Sequence, residues 1–491
     1  MKLTSARFDA FLKCPTKCYL RSTSQTGSGN AYAEWVREQN NAYLSEATKG
    51  LMTTVAEGER AFAAPGAENL KTATWRLAVD LPLETETMAS RLHAIERVPS
   101  QGRGRSAQFI PVRFVSSNKL TKDDRLLVAF DALVLSGVLG REVDMGRVIH
   151  GNDYATLKVK TPVLLSTARK RVGQAAAILA AASPPDLVLN RHCGECEFRD
   201  GCRQKSLEQN DLNLLSSMSA KERQKYRSKG IFTVTQLSYT FRPRRRPKRQ
   251  RDKREKYHYS LKALALREQK IHVVGNPELK IDGAPIYLDV EGVPDRDFYY
   301  LIGLRVGNGE SAVQHSLWAD TIEDEGRIWR DFLAIVEAVE KPILVHYGSY
   351  ETTFLRRMRE RHGGPAEQSV AATGVASPVN LLSVIFAQIY VPAFSNGLKD
   401  TVGFLGFTWT DRDSSGLDSV VWRYHWDESR DQNTKLRLLT YNAQDCEALS
   451  LVTIRVGQLA GQLELGSPTQ TQAEGVEVTT DATVGYSFKL A

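Results

Sequence analysis

The stretch PIYLDVEGVPDRDFYYLIGLRV, residues 285–306, decides the fold. PIYLDVEG (285–292) and FYYLIGLRV (298–306) are short, apolar and rich in β-branched and aromatic residues, with turn residues between them, so they read as two successive strands. Working outward, VQHSLWA (313–319) gives a third strand, and Ile328, Trp329, Phe332, Ile335, Val336 and Val339 recur at helical spacing. PILVHY (342–347) is a buried strand and YETTFLRRMRERH (350–362) a helix with a basic outer face. LLSVIFAQI (381–389) reads as another helix, and residues 435–460 as a long one. Three strands, helix, strand, helix is an α/β order.

The chemistry lies on the first of these strands. Asp289 and Glu291 are two residues apart, so both carboxylates face one side of an apolar element, where unpaired charge is costly. Mg²⁺ or Mn²⁺, which take hard oxygen ligands, would relieve both the burial and the mutual repulsion. The plainer alternative is a strand end that has reached solvent. Glu351 falls on the first turn of the helix after the fourth strand, preceded by His346 and Tyr347. Tyr441 and Asp445, at i and i+4, share one face of the late helix.

The chain's 491 residues predict two or three domains. Its net charge of +8 is concentrated in FRPRRRPKRQRDKREK (241–256), where ten basic side chains stand against Asp252 and Glu255 and the rest of the chain balances to zero. Pro243 and Pro247 bar a regular helix over the first half of this run, which reads as a connector able to bind phosphates through Arg242, Arg244, Arg245, Arg246, Lys248 and Arg249. A solvated linker and a targeting or membrane-surface signal are the alternatives. No stretch of about 18 apolar residues exists, and residues 1–20 have no continuous apolar segment. Neither a membrane span nor a signal peptide is expected, and the expected compartment is the cytoplasm.

Six cysteines are too few for a disulfide scaffold, and three of them crowd into HCGECEFRDGC (192–202). That pattern suggests a metal site. The chain thus divides into a mixed α/β module (1–205), short helices around Gly230 (206–240), the basic linker (241–258), the α/β domain (259–463) and an aperiodic, loosely ordered tail (464–491). A helix pair around a Gly turn can grip a nucleic-acid backbone or be a plain spacer.

The order of elements resembles a ribonuclease H-like domain. Asp289-x-Glu291, the acid at 351 and Tyr441-xxx-Asp445 resemble the active site of the tyrosine-containing DEDD exonucleases. That resemblance implies two metal ions about 4 Å apart, held by Asp289, Glu291 and Asp445, with Tyr441 orienting the attacking water. Glu351 stands where the family usually has Asp, one methylene shorter. LDVEGVPDRDFYYLIGL, HYGSYE, SNGLKD (395–400) and YNAQDCEAL (441–449) together resemble the ribonuclease H-like half of RecB-family nucleases, which join a RecB-like, restriction-endonuclease-type module to such a domain. In SNGLKD, Asn396 and Lys399 would reach substrate phosphate or serve as a helix cap and a surface lysine.

In RecB-like modules split ligation of an iron–sulfur cluster implies Cys14, followed by Pro15, with Cys193, Cys196 and Cys202 as ligands of a 4Fe-4S cluster; zinc would accept the same sulfurs. Cys446 reads as a small core residue. The module's own cleavage residues are missing: LHAIERV (92–98) and FIPVRFV (109–115) place His93, Arg113 and Val115 where the resemblance expects an Asp, an acid and a Lys. Asp131 falls in a helical stretch (123–140) and is expected to be solvated; Lys158 and Lys160 lack a preceding acid, and the alternative is that an unrecognised acid such as Glu96 restores cleavage. The expectation is a metal-dependent 3′–5′ exonuclease on DNA, or RNA. A catalytically silent nucleic-acid-binding adaptor, working with a helicase partner, is the rival.

Overall fold

The computed structural model divides into two compact units, Met1–Gln204 and Lys205–Ala491. It describes residues 1–62, 70, 72–100, 106–242, 257–275, 277–412, 414–464, 471–473 and 476–481. The linker residues 243–256 lie outside the described residues, and with them Arg244, Arg245, Arg246, Lys248 and Arg249.

The first unit is a seven-stranded sheet: β1 (Leu3–Thr4), β2 (Arg60–Phe62), β3 (Leu77–Glu84), β4 (Met88–Val98), β5 (Gln108–Val115), β6 (Met145–His150) and β7 (Ala155–Lys160). Strands β2 to β7 follow in spatial order, and β1 pairs with β4. Helices α1 (Ser5–Lys13), α2 (Pro15–Ser22), α3 (Ala31–Thr53), α4 (Lys122–Leu139), α5 (Pro162–Ala180) and α6 (Arg199–Glu208) complete it. Helix α4 starts at a Thr121–Asp124 capping box and is apolar nearly all round, which suits burial on every side. Phe130 of α4 stacks on Phe8 of α1 at 4.8 Å. Asp131 corrects the expectation of a solvated acid: it is buried, bound by Arg113 of β5 at 2.8 Å and by Ser90 of β4 at 2.6 Å. A helix with no polar face has no solvent side on which to place it.

In the second unit, residues 206–240 form α7 (Ala220–Arg227) and α8 (Val234–Ser238), which lead to α9 (Tyr259–Glu268) and β8 (Ile271–Val274). Arg267 of α9 bonds Ser238 and stacks on Tyr239, and Tyr257 already packs on Phe386 and Tyr390.

The central sheet follows: β9 (Ala284–Val293), β10 (Phe298–Val306), β11 (Val313–Trp318), α10 (Glu325–Glu337), β12 (Pro342–His346), α11 (Tyr350–His362), α12 (Val370–Ala376) and β13 (Val379–Asn380). Its order is β11-β10-β9-β12-β13, with β9 antiparallel to β10 and parallel to β12. This is the expected strand pattern, with β9 in the middle.

The stretch read as one helix at 381–389 instead splits into α13 (Leu381–Ile385) and β14 (Ile389–Tyr390), with Ala387 at φ +64° between them. Strand pairing of Ile389 with Val273 on β8 overrides the helical pattern. Then come α14 (Leu398–Phe404), α15 (Gly416–Ser429) and the long α16 (Gln432–Glu464). Residues 471–473 and 476–481 are strands, not loose tail, and 478–481 pair in parallel with β8. The β-branched residues of VEVTT supply that propensity.

Candidate active site

Strand β9 delivers Asp289 and Glu291 from the centre of the sheet, and α16 lays Asp445 against them. One carboxylate oxygen from each of the three lies within 4.8 Å of the others. Among the described residues no other His, Cys, Asp or Glu trio is that tight. Asn442, one turn before Asp445, donates its Nδ2–H to Asp289 Oδ2 at 2.6 Å and to the Asp289 carbonyl at 3.1 Å. Ser419 on α15 sits 2.7 Å from Glu291 Oε2, and Trp409 donates its indole N–H to Asp445 Oδ1 at 2.7 Å.

Burial pushes all three carboxyls above their ordinary values. Asp289 is held well above the ordinary carboxylate range by burial, with Asp445, Glu291 and Glu351 adding repulsion. Glu291 is pushed up to about 8 by burial, against the Ser419 hydrogen bond. Asp445 is pushed up to about 6 by burial, against the Trp409 bond and Lys399. The cluster therefore holds negative charge only at a cost, and hard oxygen donors at this spacing suit a divalent cation.

Glu351 enters on the first turn of α11 and is buried, but it is not part of the tight trio. Its Oε2 has no hydrogen-bond partner, and His346 Nδ1 lies 3.6 Å away. Tyr441 hydrogen-bonds Asp445, and its ring meets Trp422 edge-on; burial and the Asp445 charge push its phenol far up, so it stays protonated. Lys399 lies 4.6 Å from the centre of the Tyr441 ring and 5.2 Å from that of Trp409. Its ammonium is held by Ser414 at 2.6 Å. Asn396, by contrast, is spent internally: its Oδ1 accepts from the buried Lys262 and its carbonyl from Tyr347.

Sequence reasoning missed Trp409, Ser419, the role of Asn442, and Tyr350. The Tyr350 hydroxyl sits 2.6 Å from where a Cβ on Gly292 would stand, which is why β9 has glycine there. Motif spacing carries no signal for Trp409 or Ser419, since each meets its carboxylate from a separate element.

In the first unit, Cys14, Cys193, Cys196 and Cys202 line one pocket. Cys18 is buried outside it, with burial pushing its thiol up to about 11. The positions considered for cleavage there are committed elsewhere. His93 accepts the Phe114 N–H and is pushed down to about 3 by burial and then by Arg113. Glu96 pairs with Arg147 at 2.8 Å. Arg242, the one described member of the basic set, donates to the carbonyls of Tyr239 and Phe241.

Residues 286–456 match the family model of the RNase_H superfamily. That span carries Asp289, Glu291, Glu351, Tyr441 and Asp445, so a ribonuclease H-like domain bears the carboxylate cluster. The superfamily's nucleases act on nucleic acid with divalent metals, so the match suggests a nuclease-type activity for this domain. No curated protein matches the chain. No helix among the described residues is long and apolar enough to cross a membrane.

Proposed function

We propose that the second unit is a two-metal 3′–5′ exonuclease of the DEDD type acting on DNA. The convergence of Asp289, Glu291 and Asp445 within 4.8 Å carries this reading. Mg²⁺ or Mn²⁺ held by those three carboxylates would supply an activated water and offset the charge that develops on the leaving oxygen. Water adds to phosphorus as the bond to the 3′-oxygen breaks, releasing a 5′-mononucleotide. Tyr441, kept protonated by burial and by Asp445, gives its one proton to that carboxylate and orients the water by accepting a hydrogen bond from it. Lys399 offsets part of the negative charge on Asp445 and Glu291. Glu351 brings a buried oxygen without a partner to the edge of the site.

The first unit is read as a RecB-like module that binds without cutting, because His93, Arg113 and Glu96 are all tied into internal contacts. Cys14, Cys193, Cys196 and Cys202, which share one pocket, are read as the ligands of a 4Fe-4S cluster, with zinc as the alternative. The basic linker would lead the strand toward the carboxylates.

End-labelled single-stranded DNA with Mn²⁺ tests the activity. Wild type shortens it from an open 3′ end and not from a blocked one, and Asp289→Asn or Asp445→Asn abolishes shortening. Equal activity in both variants would sink the assignment, and retardation without shortening under any metal would leave a binding protein.

A further inference from the structure

Three of the six oxygens in the carboxylate trio are already taken, each by a neutral donor. Asn442 on α16 holds Asp289 Oδ2, Ser419 on α15 holds Glu291 Oε2, and Trp409, in the loop between α14 and α15, holds Asp445 Oδ1. All three donors are buried. Ser419 has one proton and two acceptors within reach, and the shorter contact, 2.7 Å against 3.0 Å to the Gly416 carbonyl, is to the carboxylate.

The pattern has a physical purpose. A carboxyl group's last torsion is broad, and three like charges this close would swing apart if left alone. A cationic clamp would hold them but would also neutralise them. Neutral N–H and O–H groups fix the geometry while leaving the charge in place. The backbone makes room for this. Gly303 on β10 pairs in register with Asp289, and a Cβ there would overlap the Asn442 side chain. Glu351, outside the trio, has no comparable donor on Oε2.

We infer that Asn442, Ser419 and Trp409 are positioning residues that each fix one oxygen of a trio carboxylate and present the other to a divalent ion. This rests on the metal-site reading above, and the test separates the two. Mn²⁺, which favours oxygen over thiolate ligands, is titrated calorimetrically into the full chain. The set comprises wild type, Asp289→Asn, Ser419→Ala, Ser419→Thr and Trp409→Phe, with the metal-free melting of each recorded.

Wild type binds and Asp289→Asn does not. Ser419→Ala and Trp409→Phe each bind about ten- to a hundred-fold more weakly with their metal-free melting preserved. Ser419→Thr, which keeps the hydroxyl, binds like wild type. If Ser419→Ala and Trp409→Phe bind like wild type while Asp289→Asn fails, the positioning role is overturned and the metal site stands. If Asp289→Asn binds like wild type, the site reading fails and the positioning role goes with it.

Discussion

Each unit buries acids, and Asp131 in the first and the carboxylate trio in the second meet the cost in opposite ways. Asp131 in the first unit meets Arg113 from β5 and a hydroxyl from Ser90, so the chain answers its charge from within. Asp289, Glu291 and Asp445 in the second unit meet one another, and their direct side-chain hydrogen-bond partners are an amide, a serine hydroxyl, an indole and the Tyr441 phenol, all uncharged. A paired buried acid is a structural cross-link; a clustered one with neutral partners is incomplete until a cation arrives from outside. The same residue type in an apolar setting thus becomes a strut in one unit and a ligand in the other.

The largest effect that would break this contrast is on the first unit. Arg113→Met leaves Asp131 buried beside no cation and should cost about 3–5 kcal/mol, read as faster hydrogen exchange across β5 and α4 in the full chain. Unchanged exchange would mean that Asp131 needs no cation, and the two sites would not differ in kind.

The next effect separates the sites by pH. Glu291 in the fold is pushed up to about 8, above its unfolded value near 4.3, so folding binds an extra proton between those values. Its contribution is complete below about pH 4 and is lost as pH rises through about 8. Without metal, wild type should therefore lose stability relative to Glu291→Gln over that window, and saturating Mn²⁺ should cancel the trend. A flat difference between the two proteins would show that the carboxyl is not held protonated.

The smallest effect has the opposite sign to the first. Asp289→Asn removes a carboxyl whose ionisation the cluster opposes, and should stabilise the metal-free protein by roughly 1 kcal/mol at alkaline pH while it abolishes Mn²⁺ binding. A destabilised variant would mean that the trio is satisfied without metal.

Four of the five strands of the central sheet and the candidates Asp289, Glu291 and Asp445 were legible because strand pattern and helical spacing are local signals, and α13–β14 shows where they fail. LLSVIFAQI is apolar and short, so periodicity alone cannot tell helix from strand, and only its pairing with β8 decides. Asp131 was misjudged for a related reason: α4 has apolar residues on every side, and the cation that keeps the acid inside lies 18 positions away on another element. Trp409 and Ser419 are 36 and 128 positions from the carboxylates they hold, distances at which no motif operates.

Gly303 bears no functional group and touches no substrate, yet the notch it leaves is where the Asn442 amide passes to reach Asp289. Its φ is not in the left-handed region, so alanine would suit the backbone and still not fit. The site's genetic footprint is thus wider than its chemical one: in a saturation screen for activity, this unremarkable strand glycine should tolerate change as poorly as the acids themselves.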